Sequence, residues 1–254
     1  MTRDLPALGL LILAFAFLWL PFGQTDFLLT HWMKVGTFMA PFLLFAALSF
    51  RGGDDLPGLG DVKWMALVFW VAYIAHQFEE HWVDVYGRIY EFQSYLSGVL
   101  GSLVGADDGA VLVTREDILL INTGPVWLVG ALSVWCAPRH VFPTLCLAAV
   151  AFVNAFSHVG GGLRYRSYNP GLLTSVAVFI PLGILFYRRV LADGLASRTE
   201  VFSSIGWSVG AHIFLFAGLI AKNHAGVLSE ELYYGGLIAL SILPVFMFRK
   251  PRPA

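Results

Sequence analysis

Charge is scarce in this sequence. Asp, Glu, Lys and Arg make up 13% of its 254 residues, against about 25% in an ordinary soluble domain. That shortage excludes a water-soluble fold of this size, because too little polar surface remains to cover one. An excess of either sign is missing as well. The net charge of -1 argues against a nucleic-acid partner, which calls for a basic surface. Cysteine is nearly absent: Cys136 and Cys146 have neither metal-ligand spacing nor a disulfide framework, and they read as small buried hydrophobes. No long linker, low-complexity tract or repeat divides the chain, so residues 1–254 read as one membrane-embedded helical domain.

What fills the chain instead is apolar: 57% hydrophobic residues, with 21 Phe and 8 Trp. Segments near the roughly 20 residues that cross a bilayer recur at 6–22, 31–50, 63–85, 117–137, 140–161, 171–187, 202–221 and 233–248. The expected fold is therefore all-α, a polytopic transmembrane bundle of about eight spans. The segment 6–22 resembles a signal peptide, but only Arg3 precedes it and no small-residue cleavage site follows. It reads as a retained anchor.

With the N-terminus inside, Arg3, Arg51, Lys63, Arg139, Arg188, Arg189, Arg198, Arg249, Lys250 and Arg252 fall on the inner side. They outnumber Lys34, Arg88, Arg115, Arg164, Arg166 and Lys222 outside, which places both termini in the cytoplasm. Arg exceeds Lys and Ala, Leu and Gly are plentiful, so a bacterial inner membrane is expected. The one long connection, 86–116, is neither charged enough for disorder nor long enough to span. It reads as an interfacial or re-entrant segment over the bundle.

Against this background the ionisable residues stand out, because a charge in hydrocarbon is costly and marks function by default. The third span ends in His76-Gln77-Phe78-Glu79-Glu80-His81. At about 100° per residue, Glu79 and Glu80 lie roughly 60° and 40° to either side of His76, while His81 is roughly 140° away. An imidazole and two carboxylates on one face form a half-site for a divalent metal or a proton relay. Asn154 and His158 are i and i+4 on the fifth span, and Asn122 precedes Pro125 early in the fourth. The Tyr168-Asn169-Pro170-Gly171 turn opens the sixth, and His212 is midway along the seventh. In the inferred topology His76–Glu80, Asn122, His158 and the Tyr168–Gly171 turn reach the same, outer side of the bilayer. His224, Glu230 and Glu231 read as a solvated outer loop.

The motif His76-Gln-Phe-Glu79-Glu80, a second histidine at His158 and Tyr168-Asn169-Pro170-Gly171 resemble the HXXEE-domain family of bacterial membrane proteins. The resemblance covers roughly 63–185 and implies a helical membrane protein with these signature residues, without naming a reaction.

Three functions suit this arrangement. In the favoured one the chain is a membrane-embedded metalloenzyme, a hydrolase or oxidoreductase using zinc or iron. His76, Glu79, Glu80 and His158 are its candidate ligands, and Glu79 or Glu80 its candidate general base. Asn122, Asn154, Tyr168, Asn169 and His212 line the site, and the substrate is a lipid or other apolar small molecule from the bilayer. A shared ion then requires a ring nitrogen of His76 and one of His158 within about 3–4 Å of each other. The alternatives are a proton or cation transporter using the same cluster and a non-catalytic membrane assembly protein.

Overall fold

A computed structural model describes residues 25–49, 58–89, 91–107, 109–137 and 139–248. The expected anchor at 6–22 lies outside them. The described residues form eight helices and no strand. In chain order these are α1 (Thr25–Ser49), α2 (Val62–His81), α3 (Glu91–Val104), α4 (Arg115–Cys136), α5 (Phe142–Tyr165), α6 (Leu172–Ala192), α7 (Arg198–His224) and α8 (Glu230–Ile242). A short 3-10 turn, Leu243–Val245, extends α8.

Local chemistry starts these helices where it should. Asp61 caps α2 by accepting from the Trp64 N–H at 3.0 Å. Thr114 with Asp117, and Ser197 with Glu200, form reciprocal capping boxes on α4 and α7. Pro125 lies inside α4, where it lacks an N–H and crowds the preceding turn. The helix answers by widening to a π-turn over Asn122–Val126. Further π-turns occupy Ser175–Phe179 in α6 and Ile220–His224 at the end of α7.

Among the described residues, five helices are long and apolar enough to cross a membrane: Asp26–Phe45, Arg115–Cys136, Phe142–Tyr165, Leu172–Ala192 and Arg198–His224. The other two expected spans on described residues are helical but do not meet that standard. One, α8, is only 13 residues long before its final turn. The other, α2, carries its ionisable residues into the middle of the bundle. It packs against α1, α4 and α5, and Phe69, Trp70 and Ile74 are buried along with His76, Gln77, Glu79, Glu80 and His81. Protein, rather than lipid, surrounds its polar end.

The 86–116 connection contains helix α3, which meets the C-terminal end of α2. Leu96 and Leu100 are buried on it while Leu103 is 59% exposed, the one-sided pattern of a helix laid against a bundle. Phe92 of α3 packs on His81 and His158 with ring centroids 5.2 and 5.7 Å apart. The connection thus roofs the end of the bundle where the ionisable residues gather.

Candidate metal centre

Three ligand-type side chains meet inside the bundle. His76 Nε2 is 3.2 Å and His158 Nε2 3.0 Å from the same oxygen, Glu80 Oε1. Ligand atoms of His76, Glu80 and His158 all lie within 4.8 Å of one another, and all three residues are buried. The two sequence-distant histidines lie together, with their ring centroids 4.9 Å apart. Ligands of an ion with bonds near 2.1 Å are separated by about 3.0–3.4 Å, so the imidazole-to-carboxylate distances fit a shared ion.

The surroundings decide which nitrogen each ring presents. Thr174 gives its hydroxyl proton to Glu79 Oε2 at 2.5 Å, so its oxygen is left to accept from His76 Nδ1 at 2.7 Å. Asn169 uses its amide N–H on the His158 carbonyl at 2.9 Å, so its Oδ1 accepts from His158 Nδ1 at 2.7 Å. These partners place a proton on Nδ1 in both rings and turn both Nε2 atoms toward Glu80. A metal-binding histidine is held in the same way, with its second nitrogen donating to an oxygen. The Asn154 amide nitrogen lies 2.8 Å from His76 Nε2 and 3.5 Å from His158 Nε2, facing the same point.

Glu79 and Glu80 are not equivalent, although the helical angles make them look so. Glu79 turns to the start of α6 and accepts four hydrogen bonds. They come from Tyr168 OH at 2.7 Å, Leu173 N at 3.0 Å, Thr174 N at 2.8 Å and the Thr174 hydroxyl. A carboxylate at a helix N-terminus is stabilised by those unpaired N–H groups and by the helix dipole. With its oxygens so engaged, Glu79 is a clamp between α2 and α6 and stands apart from the His76–Glu80–His158 group. Of the four expected ligands, His76, Glu80 and His158 are brought together and Glu79 is not among them. Burial, and the carboxylate it donates to, push the Tyr168 hydroxyl above its ordinary range.

Gly171 explains the turn motif. It adopts φ +91°, and a Cβ there would come within 2.7 Å of His158 Cε1, 2.8 Å of His76 Cε1 and 2.9 Å of Glu80 Cγ. Only glycine combines that left-handed conformation with such an approach. The backbone of the turn therefore rests directly on the three-residue cluster.

Three residues escaped the sequence reading. His81 was expected to point away, yet its Nε2 is 3.3 Å from Glu80 Oε2. The carboxylate bridges the gap by turning its second oxygen toward the neighbouring face. Gln77 accepts from Trp127 Nε1 at 2.8 Å and donates to Asn122 Oδ1 at 2.7 Å. That chain orients the Asn122 amide toward His81 Nε2, 3.3 Å away, and the Ile118 carbonyl. Gln77's place inside the motif was the available signal. Thr174 had a weaker one, as the third residue after the Tyr168–Gly171 turn. His212 lines a cavity that also touches Glu80, His81, Asn122 and Asn154. Each expected lining residue therefore meets the cluster, its clamp or this cavity.

The loop after α2 is tied down separately. Asp84 Oδ1 accepts from the Tyr86 and Arg88 backbone N–H at 2.9 and 3.0 Å, and Oδ2 from Arg88 Nε and Nη2 at 2.7 Å each. Burial alone would raise the Asp84 carboxyl, but the Arg88 and Tyr86 donors outweigh it and hold the group below its usual range.

Fold and cluster together define a helical membrane-protein class with a buried two-histidine, one-carboxylate centre. Residues 67–186 match the family described as "Protein of unknown function with HXXEE motif". The chain is also 33% identical over 109 residues to a subunit of tetrahydromethanopterin S-methyltransferase from Methanothermobacter thermautotrophicus, and equally to its counterpart from Methanothermobacter marburgensis. The match covers 39% of this chain and 46% of each relative, so the chain spans about half the length of the curated relatives it matches. No solved structure matches the chain.

Proposed function

We propose that the chain is a membrane-embedded, divalent-metal-dependent enzyme acting on a lipid or other apolar substrate. One observation carries this reading: two buried imidazoles, each with Nδ1 on an oxygen acceptor, aim their Nε2 atoms at one carboxylate oxygen. Two imidazole nitrogens and a carboxylate facing one another make a donor set suited to a cation. His76, His158 and Glu80 are assigned as its ligands. Asn154 is assigned as a fourth neighbour, since rotation of its amide by 180° would present an oxygen at the same place. A zinc or ferrous ion held by two histidines and a carboxylate supplies Lewis-acid or redox chemistry at its remaining positions.

The protein's own part is to fix the ligands through Thr174, Asn169 and Glu79, and to keep water out with Phe92 and the Tyr168–Gly171 turn. Glu80 Oε2, with only His81 and no fixed cation beside it in the described contacts, is the carboxylate oxygen placed to take or return a proton.

The proposed topology has eight spans, α2 and α8 included, with both termini cytoplasmic and the cluster near the outer face of a bacterial inner membrane. The positive residues Arg139, Arg188, Arg189 and Arg198, at the helix ends remote from the cluster, support that orientation. A second reading, as one component of a larger membrane assembly, is favoured by the matched relatives, which are by name subunits of a methyltransferase.

Metal analysis of the purified protein is the decisive test. About one zinc or iron per chain is expected, with loss in His76→Ala and His158→Ala and retention in His212→Ala. A folded wild-type protein, purified without chelator and then incubated with either ion, that binds no metal would sink the enzyme reading.

A further inference from the structure

Adjacent residues on an α-helix point about 100° apart, and their side chains do not face one another. Glu80 and His81 depart from that rule. His81 Nε2 is 3.3 Å from Glu80 Oε2, and both side chains are buried. The contact is imposed from outside α2. The Trp32 ring of α1 and the Phe92 ring of α3 lie 5.3 and 5.2 Å from the His81 ring, with interplanar angles of 51° and 88°. Trp32 is itself buried and meets Trp127 of α4, with centroids 6.3 Å apart. Two other helices thus hold one imidazole where α2 alone would not put it.

What His81 meets is the far oxygen of a candidate ligand. His76 and His158 face Oε1 at 3.2 and 3.0 Å, while His81 meets Oε2. The ligand atoms within 4.8 Å of one another come from His76, Glu80 and His158, and His81 is not in that group. It stands behind the carboxylate rather than beside the ligands. The Asn122 amide nitrogen is also 3.3 Å from His81 Nε2, but its shorter bond, 2.8 Å, goes to the Ile118 carbonyl. A proton on Nε2 therefore has the carboxylate as its acceptor, in a charge-assisted bond about twice as strong as a neutral one.

We propose that His81 is a positioning residue: it holds Oε2 off the ion, so that Glu80 binds through Oε1 alone and a coordination position stays open. A carboxylate can take a divalent ion with one oxygen or with both, and a catalytic site differs from a structural one by the position it leaves free. Oε2 is also the oxygen assigned to proton transfer, a task it serves only while it is not a ligand. The inference rests on the metal reading above and deepens it by naming what keeps that site unsaturated.

The test is the visible spectrum of the full chain loaded with cobalt(II) in nanodiscs, with metal content measured in parallel. Wild type is expected to show the intense bands of cobalt with about four or five ligands. His81→Phe keeps a ring between Trp32 and Phe92 but has no nitrogen to offer Oε2. It should retain about one cobalt per chain and lose much of the band intensity, as the second oxygen joins the ion and the ligand number rises. His81→Gln, which restores an N–H, should recover it. Trp32→Leu, the second variant, leaves His81 in place but loosens its clamp, and should move the spectrum the same way by less. A weak octahedral spectrum in wild type, or a wild-type spectrum in folded, cobalt-loaded His81→Phe and Trp32→Leu, overturns the proposal and leaves the metal reading standing. Loss of cobalt from folded His81→Phe would make His81 a ligand and overturn it as well. Wild-type protein that binds no cobalt would remove both.

Discussion

Two buried carboxylates at the same end of the bundle, Glu80 and Asp117, are held in opposite ways. Asp117 is closed on every side. Its Oδ2 accepts from the Thr114 N–H and hydroxyl at 2.9 and 3.1 Å and from Asn223 Nδ2 at 2.7 Å. Its Oδ1 accepts from Tyr234 OH at 2.6 Å and from Lys222 Nζ at 2.9 Å. Each of these donors has a proton to give, and the ammonium cancels the charge. Glu80 faces the Nε2 atoms of His76, His158 and His81 instead, and no ammonium or guanidinium is among these contacts. The first arrangement ties α4, α7 and α8 together and is complete as it stands. The second brings ring nitrogens and a carboxylate together in a group that could hold a cation. A buried charge is therefore better read from its partners' protons than from its burial.

The largest effect that sharpens this contrast is on stability. Removing one partner of a buried pair costs about 3–5 kcal/mol, so Lys222→Met should lower the midpoint of thermal unfolding clearly while leaving metal content unchanged. His158→Ala should do the opposite, abolishing metal binding with a smaller loss of stability in the presence of a chelator. Should Lys222→Met strip the metal as completely as His158→Ala does, the two clusters would be one site and the comparison would fail.

A smaller effect separates clamp from ligand. Thr174→Val removes the acceptor of the His76 Nδ1–H and leaves the ligands themselves in place. Metal affinity should fall by about 10- to 100-fold in chelator competition and recover in Thr174→Ser. An unchanged affinity in a folded Thr174→Val protein would show that the hydroxyl does not orient the ring.

The smallest effect concerns the loop beyond the clusters. The folded-state pKa of Asp84 is depressed, so its pairing with Arg88 adds stability above the ordinary aspartate value, about pH 4, and loses it as the pH falls through the folded value. Titrating wild type and Asp84→Asn from pH 6 downward should narrow the stability difference between them only below about pH 4. A difference that disappears between pH 5 and 6 would assign the titration to another group.

Much of this was legible in the chain. Span order and charge bias grouped His76–Glu80, Asn122, His158 and the Tyr168–Gly171 turn, and His76, Glu80, His158 and the turn do meet. The choice between Glu79 and Glu80 was not legible. Helical angles place both near His76, and the decision is made by the N–H groups at the start of α6, which belong to another helix. His81 was missed because angular bookkeeping treats a carboxylate as a point, whereas its two oxygens face different ways. Lys222 reads in sequence as part of an outer connection. Its ammonium nevertheless reaches Asp117, 105 positions earlier in the numbering, a pairing that only the packing of α7 on α4 creates. The span at α2 was read from its apolar first half, although its polar second half is enclosed by protein.

The π-turn at Asn122–Val126 has a consequence for how the two clusters are phased. Asp117 precedes it and faces α7 and α8, whereas Trp127 follows it and faces Gln77 on α2. Shortening α4 there by one residue would rotate one face against the other by about 100°, and no rotamer change could restore both contacts. The widened turn is thus an angular offset built into a single rod, letting one helix serve two unrelated neighbours in register.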